Sequence, residues 1–446
     1  MIKPNLLFLT IDSLYSDRIY GLNKTSKTPH IDFLIKNGIN FTQAVSTSDA
    51  TGLSLGSIFT ASYPFKTGIT HFYYDPQAPN YFDLLKKNGY NLYATVPDVS
   101  FFMKLTANFT DKDTYVYDKR DSWVQLVGGI GQLIIDRFEK KMKEPWIYFI
   151  HLMDLHSPFY LPKEFDYENY GKTRYDRMVS AIDFWIGKFL EKIDLKNTLV
   201  ILSSDHGDYI PIIEEEPKRQ TRTQTVLRKG KEILPQLEPI GLKVYTTFHS
   251  IKRSLKLARL KKSLTEGELR TLDSRGQWNL YDELIRVPLI FSGYGIHSTK
   301  IISDQVRHVD IFPTIIDILK LQDLLANIDG RSLLSLLQGS KFDDVPAYIE
   351  TGSRDPKKLG NIIGIRTKHF KYLRSRSNPT QNVSLFDLQN DPEEKNNIAQ
   401  TNQEIVKEME KILNDIRKDS IREEIKELTD DETKKIKEEL KKLGYI

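Results

Sequence analysis

The sequence predicts an α/β protein: a large, mostly parallel sheet covered by helices, followed by a smaller C-terminal α+β subdomain. Three observations predict it. Five short apolar runs, at 5–11, 91–96, 146–152, 198–203 and 287–291, are flanked by polar or turn residues, as strands buried on both faces require. Longer stretches with helical spacing separate them, and strand, helix, strand alternation folds as a parallel sheet with helices on its faces. Two of the runs also end in residues that bind metals: Leu9-Thr10-Ile11-Asp12-Ser13, and Leu202-Ser203-Ser204-Asp205-His206-Gly207-Asp208. The carboxyl ends of parallel strands form the edge where ligands collect, so carboxylates from distant parts of the chain can converge there on one ion.

The elements follow in order. A helix follows Thr28-Pro29-His30 through Phe33-Leu34, a second runs from Tyr81 to Asn88 and stops at Gly89, and a third carries Met178-Val179, Ile182, Trp185-Ile186 and Phe189-Leu190. From Pro217 to Arg270 there are 14 Lys and Arg against 4 Asp and Glu, so the rest of the chain, with a total of +4, is acidic. In this segment Val244, Phe248, Ile251, Leu255, Leu260 and Leu264 recur at helical spacing with cations between them. Such a helix either packs its apolar stripe on the core or docks on an anionic polymer or lipid headgroup. Past Phe370-Lys371-Tyr372-Leu373 the chain turns polar, then helical and highly charged from Glu404. The expected organisation is a catalytic domain over 1–340 with a basic helical insertion at 211–275, and a C-terminal subdomain over 341–446.

The 446 residues, 39% apolar and 28% charged, are ordinary for a folded globular protein. With no cysteine, disulfides, thiolate zinc sites and cysteine nucleophiles are excluded together. Any metal must then be held by oxygen and imidazole, and any covalent step must use a hydroxyl or a carboxylate. Met1-Ile2-Lys3-Pro4 runs straight into the first strand without a signal-like leader, which predicts a cytoplasmic protein, with peripheral membrane contact through 240–264 as its one route to a bilayer. Nucleic acid is not an expected partner, because the excess positive charge is confined to one insertion without interleaved aromatic residues.

Several motifs occur in a fixed order: Asn5 to Leu14; Thr28-Pro29-His30-Ile31-Asp32; Phe59 to Gly68; His151-Leu152-Met153-Asp154-Leu155-His156-Ser157-Pro158-Phe159; Ser204-Asp205-His206-Gly207-Asp208; Tyr281 to Leu289; His308 to Thr314; and Asp329-Gly330-Arg331-Ser332-Leu333. Together they resemble the sulfatase-like branch of the alkaline phosphatase superfamily over nearly the whole chain. Sulfatases oxidise a cysteine or serine to formylglycine, in a motif with proline or alanine two residues on and arginine four residues on. The equivalent position here is Thr51, with Leu53 and Leu55 in the other two places. The resemblance therefore implies an unmodified hydroxyl, similar to the branches that transfer phosphoglycerol or phosphoethanolamine or hydrolyse phosphodiesters and phosphonate esters.

By this resemblance Asp12, Thr51, Asp205 and His206 hold one divalent cation, Thr51 is the nucleophile, and His156 contacts the substrate or protonates the departing alkoxide. Oxygen ligands suit Ca2+ or Mg2+, while the imidazole tilts the choice to Mn2+ or Zn2+. Ser48 and Ser54 compete with Thr51 under the same helix-capping logic. Arg366 is placed among the residues that can contact the anionic substrate, although its position before an apolar strand favours a salt bridge. His151 reads as structural, and His308 and Asp310 as peripheral. Where sulfatases carry further cationic groups this chain has Pro97-Asp98-Val99-Ser100 and Arg275-Gly276-Gln277-Trp278, and a weakly cationic pocket suits a monoanionic diester. The expected function is a metal-dependent hydrolase or transferase of phosphodiester or phosphate-linked substrates acting through Thr51. The alternatives are a sulfuric ester hydrolase and a degenerate glycan or lipid headgroup-binding member. The expected substrate is a small-molecule, glycan or lipid-linked anionic ester.

Overall fold

The computed structural model describes residues 3–74, 78–116, 125–140, 142–156, 159–208, 266–273, 280–321, 325–340, 343–353 and 360–418, with a few positions between 431 and 438. Residues 1–208 and 278–446 form one compact unit and 209–277 a second. Of the second, the helix Glu266–Asp273 is described. The amphipathic stretch at 240–264 and most of the 211–275 insertion lie outside the described residues.

The described residues form a nine-stranded sheet of β1 (Asn5–Ile11), β2 (Gly38–Val45), β3 (Asn91–Pro97), β4 (Asp111–Tyr115), β5 (Trp146–Leu152), β6 (Thr198–Ser203), β7 (Arg286–Gly293), β8 (Lys300–Ile302) and β9 (Val306–Arg307). Its order is β4-β3-β5-β1-β6-β7-β2-β8, with β9 beside β2. Pairing is parallel throughout except around β7, which runs against both β6 and β2. The apolar run at 287–291 is thus a strand as expected, but a reversed one. Strands β1, β5 and β6 are buried along their whole length, which their unbroken apolar sequences allow because helices cover both faces. The predicted sheet is therefore present, and strands β2, β4, β8 and β9, together with the reversed direction of β7, are what the apolar runs did not disclose.

Register fixes the functional edge. Thr10 of β1 pairs with His151 of β5 on one side and with Ser203 of β6 on the other, so the three central strands end level with one another. Helix α1 (Pro29–Lys36) packs beside the Arg174–Leu190 helix, whose start carries a capping box between Thr173 and Asp176. Asp183 of the longer helix accepts the backbone N–H groups of His30 (3.2 Å) and Ile31 (2.7 Å), closing off the start of α1. Helix α2 (Thr51–Thr60) is buried from Gly52 onward, and Ser57 and Thr60 turn their hydroxyls onto the carbonyls four residues back. Beneath it Phe8, Phe59, Phe82, Phe149 and Phe312 form one aromatic cluster with ring centroids 4.6–5.9 Å apart.

The C-terminal part adds a four-stranded antiparallel sheet, β10 (Ala347–Glu350), β11 (Ile362–Arg366), β12 (Phe370–Ser375) and β13 (Ser384–Asp387), with the Gln403–Arg417 helix against it. Its core joins Tyr348, Ile363, Ile365, Tyr372 and Leu385 to Met409 and Leu413. The end of β10 grips the segment leading into α2: Glu350 donates its N–H to the Thr47 carbonyl (2.9 Å), and Gly352 donates its N–H to Asp49 Oδ1 (2.6 Å). No helix among the described residues is long and apolar enough to cross a membrane.

Candidate metal and catalytic site

Asp12 follows β1, and His151 is the next-to-last residue of β5. Asp205 and His206 follow β6 by two and three residues, so the level strand ends bring all four side chains to one place. Ser13 takes the left-handed conformation (φ 62°) and turns its hydroxyl back onto Asp12 Oδ1. That turn is fixed by Tyr175, whose phenol donates to the Ser13 carbonyl (2.7 Å), and by Ser204, whose Oγ accepts the Leu14 N–H (3.0 Å).

Thr51 is the first residue of α2, and Ala50 occupies the cap position. Its hydroxyl therefore caps nothing: Oγ1 lies 3.4 Å from Asp12 Oδ2 and 3.2 Å from His206 Nε2. His206 Nε2 is in turn 3.5 Å from Asp205 Oδ2, and His151 Nε2 is 4.0 Å from Asp12 Oδ2. One donor atom each from Asp12, His151 and Asp205 falls within 4.8 Å of the other two. Donors about 2.0–2.2 Å from one ion stand roughly 3–4 Å apart, so a cluster of this size closes on an ion with small side-chain shifts.

Satisfaction of the ring nitrogens sets direction. His151 Nδ1 is held by Thr10 Oγ1 (2.8 Å) and His206 Nδ1 by the Gly207 carbonyl (2.7 Å), leaving both Nε2 atoms aimed at the carboxylates. His151 Nε2 and Asp205 Oδ2 are buried without a hydrogen-bond partner, a costly state for polar atoms that a cation would relieve. The residues therefore fit a metal ion. Carboxylate, imidazole and hydroxyl groups together present oxygen and nitrogen donors to such an ion.

The charges agree. Burial alone would raise the Asp12 carboxyl, but the fields of His156, His206 and His151 and the Ser13 hydroxyl hold it below the usual range. Asp205 is pushed up to about 6 by burial and by Asp12, against His206. His206 loses ground to burial but is carried up to about 9 by Asp205 and Asp12. His151 is pushed down to about 4 by burial, so it is neutral and ready to donate a lone pair. A cation would replace the proton that the two acids hold on His206.

His156 is buried close enough for its charge to act on Asp12, and its backbone is turned by a bond to the Met153 carbonyl (3.0 Å). The competing serines do other work. Ser54 is buried inside α2, where it donates to the Asp205 carbonyl (2.5 Å) and meets His308 Nδ1 at 3.0 Å. Ser48 reaches only Asp49 with its hydroxyl (3.4 Å). His308 thus supports the metal-site loop through Ser54, whereas Asp310, expected beside it, is paired instead with Arg307 at 2.6 Å.

Arg366 corrects the expectation that it meets the substrate. It is buried, with Nε and Nη2 on Asp282 (2.9 and 2.7 Å), Nη1 on Gln305 (2.8 Å) and Nη2 also on Gln43 (2.7 Å). The salt bridge that its position favoured is what the fold contains. Two residues near the cluster escaped the sequence reading: His151, assigned to structure although its strand neighbours β1, and His71. The His71 backbone lies against Gly52 in the first turn of α2, but it comes from a loop with no strand-end signal.

A large, mostly parallel sheet covered by helices, with a metal-ready cluster around a hydroxyl at a helix start, defines the class. A profile of the Sulfatase family matches residues 4–321, and one described as N-sulphoglucosamine sulphohydrolase, C-terminal, matches 267–419. The chain belongs to the sulfatase family, within the alkaline phosphatase-like fold. It is 24% identical to arylsulfatase K of Gallus gallus over 455 residues, covering 93% of this chain and 82% of that protein. Its fold is similar to that of Ps i-CgsB in complex with a neocarrahexaose (TM-score 0.67, 18% identity, 94% and 93% of the two chains). It is also similar to phosphonate monoester hydrolase of Agrobacterium radiobacter (TM-score 0.64, 14% identity, 96% and 99%).

Proposed function

We propose that the chain is a metal-dependent sulfuric ester hydrolase acting on an anionic glycan, with Thr51 as the attacking residue. The carrying observation is the position of Thr51 Oγ1 between Asp12 Oδ2 and His206 Nε2 at the start of α2. Membership of the sulfatase family, likeness to an arylsulfatase and the sugar-bound neighbour support the sulfate-ester and glycan parts. Asp12, Asp205, His206, His151 and Thr51 would hold the ion. When bound, it would lower the pKa of the Thr51 hydroxyl and offset charge on the ester.

The chain's own groups do the rest. Thr51 releases its hydroxyl proton to solvent and its oxygen forms a bond to sulfur as the bond from sulfur to the alcohol oxygen breaks, while protonated His156 gives the leaving alkoxide its proton. Water then attacks sulfur as the bond from sulfur to the Thr51 oxygen breaks, one water proton restoring the Thr51 hydroxyl and the other returning to His156 as sulfate leaves. The free N–H groups of the first α2 turn favour negative charge on the transferring group.

A second reading, phosphodiester or phosphonate ester chemistry with water or an alcohol as acceptor, has its own support. Thr51 stands where the family oxidises cysteine or serine, the positive fields that lower the Asp12 carboxyl are all imidazoles, and a phosphonate hydrolase shares the fold. Turnover of p-nitrophenyl sulfate and bis-p-nitrophenyl phosphate by wild type and Thr51→Ala separates the two. Metal-dependent sulfate release that is lost in the variant is expected. Turnover of the diester alone would overturn the first reading in favour of the second, and a folded protein that binds no metal would end both.

A further inference from the structure

Between the Arg174–Leu190 helix, the start of α1 and the 163–170 segment lies a cavity of about 480 Å3 that the site chemistry does not use. Its wall is a run of rings: Phe165 stands 4.9 Å from Tyr170 and 5.8 Å from Phe184, and Phe184 stands 6.1 Å from Trp185, centroid to centroid. Two glycines seat the rings on backbone. A methyl group on Gly131 would lie 2.3 Å from Trp185 Cε3, and one on Gly187 would lie 2.5 Å from His30 Cε1, so both rings are fixed before any ligand arrives. Lys188 adds its ammonium 4.6 and 4.4 Å from the Phe184 and Trp185 centroids. Phe184 is nonetheless 44% exposed, and Tyr167 in the same segment 62%. Lys27 and Glu164, both exposed, line the cavity with opposite charges, and Asp183 is spent on the backbone N–H groups of His30 and Ile31. The same helix carries Tyr175, whose phenol holds the Ser13 carbonyl beside Asp12. With a rise of about 1.5 Å per residue, Ser180 and Trp185 of the cavity lie about 8 and 15 Å along the helix from it.

We propose that this cavity is a second carbohydrate site, taking one uncharged pyranose unit of the glycan whose sulfate ester is held at Thr51. It rests on the glycan-ester reading above and extends it. A fixed aromatic wall with a few polar groups, in a space of this size, is the usual form of a small-molecule site. The chemistry selects a sugar. A pyranose has an apolar C–H face that packs on rings, and hydroxyls that both donate and accept, which matches Glu164 and Lys27 together. Cancelled charge gives no net hold on a sulfate or phosphate group, and a purely aliphatic ligand would take water from Lys27 and Glu164 without replacing its hydrogen bonds. The spacing along the helix lets one oligosaccharide reach both places.

The test uses the full chain loaded with Mn2+, as wild type, Phe184→Ala and Glu164→Ala. Both changes are at exposed positions, and the second keeps the test valid should the first disturb folding. Kinetics on p-nitrophenyl sulfate are measured for each. Binding of κ-carrageenan and heparin hexasaccharides, each sulfated and desulfated, is measured by calorimetry in a Thr51→Ala background, which keeps the ester intact. Expected for Phe184→Ala is a rise of roughly 3- to 10-fold in the dissociation constant of a hexasaccharide in both its forms, the range for one lost ring contact, with a smaller rise for Glu164→Ala. KM and kcat on p-nitrophenyl sulfate, too small to reach the cavity, should not change. Unchanged hexasaccharide affinity in both folded variants overturns the proposal, as does a wild type that binds no desulfated form or an equal rise in KM on p-nitrophenyl sulfate. Self-association of wild type that Phe184→Ala abolishes, with glycan affinity unaltered, overturns it in favour of a second copy of the chain. Phe184-dependent glycan binding without sulfate-ester turnover would end the hydrolase reading and leave the cavity assigned, whereas turnover of p-nitrophenyl sulfate with no hexasaccharide bound does the reverse.

Discussion

The edge of the large sheet and the seam of the small one both bury charge, in opposite ways. At the seam every charge has a countercharge: Asp282 meets Arg366 (2.7 Å) and Lys371 (2.6 Å), and Lys371 also meets Glu394 (2.7 Å) and the Leu280 carbonyl (3.0 Å). Burial would raise the Asp282 carboxyl, but Arg366 and Lys371 hold it well below the usual range. At the edge, two carboxylates face imidazoles across gaps of 3.5–4.0 Å, and His151 Nε2 and Asp205 Oδ2 stay unsatisfied. Matched burial is architecture; unmatched burial, at the end of parallel strands, marks a place built for something that arrives later.

The sharpest way to break this contrast is to neutralise one edge carboxylate. Asp205→Asn should lose the ion and at least about 10^3-fold in activity, as expected when a unit of the catalytic constellation is removed. Its melting temperature without metal should hold or rise, because a buried carboxylate with one oxygen left without a hydrogen bond is gone. Metal analysis by mass spectrometry alongside thermal melts decides it. A metal-free variant that melts far below metal-free wild type would show that Asp205 is architectural.

The seam should respond the other way. Lys371→Met strands Asp282 and Glu394 without their shared cation and should cost about 3–5 kcal/mol in urea unfolding. KM of the folded fraction should not change, and Arg366→Met should behave alike, which separates a structural arginine from the substrate-binding one the sequence suggested. A raised KM with intact stability in either variant would move the seam into the site. Some loss of metal affinity is compatible with the contrast, because the Leu284 carbonyl, two residues from Asp282, accepts the Gly207 N–H (2.8 Å) beside His206.

The sequence disclosed the edge better than the seam for a physical reason. Apolar strands ending in Asp12 and in Asp205-His206 carry their signal locally, since strand ends and ligands are adjacent in the chain. His151 was visible but misread, because its role depends on register with Thr10, which no single strand reveals. His71 was invisible, as its placement rests on glycines 15 and 19 residues earlier in α2. The seam pairs residues from β11, β12 and the 280–285 segment, some 80 or more positions apart, and charges so distant read as solvated until the fold joins them. For Arg366 the salt bridge was the favoured reading, but its partner Asp282 could not be named and a contact to the substrate stayed open on that account.

A smaller effect sharpens the comparison through pH. Asp154, two residues past β5, is buried, and its Oδ1 accepts the Leu126 N–H (3.0 Å). Burial pushes it up to about 7, with backbone N–H groups opposing. Between about pH 4 and 7 the folded chain therefore holds a proton on Asp154 that the unfolded chain has released, so this group's contribution is fully present below pH 4 and is lost as pH rises through 7. Asp282, depressed rather than raised, contributes in the opposite sense: its stability is present above the unfolded carboxylate pKa and is lost in acid. Asp154→Asn keeps an acceptor for Leu126 without the titration, so the difference in stability between variant and wild type should grow with pH across that window, by on the order of 1–3 kcal/mol. Urea unfolding at pH 4.5, 5.5 and 6.5 measures it. A constant difference would mean that Asp154 ionises normally, and that the unmatched edge is confined to the residues around the ion.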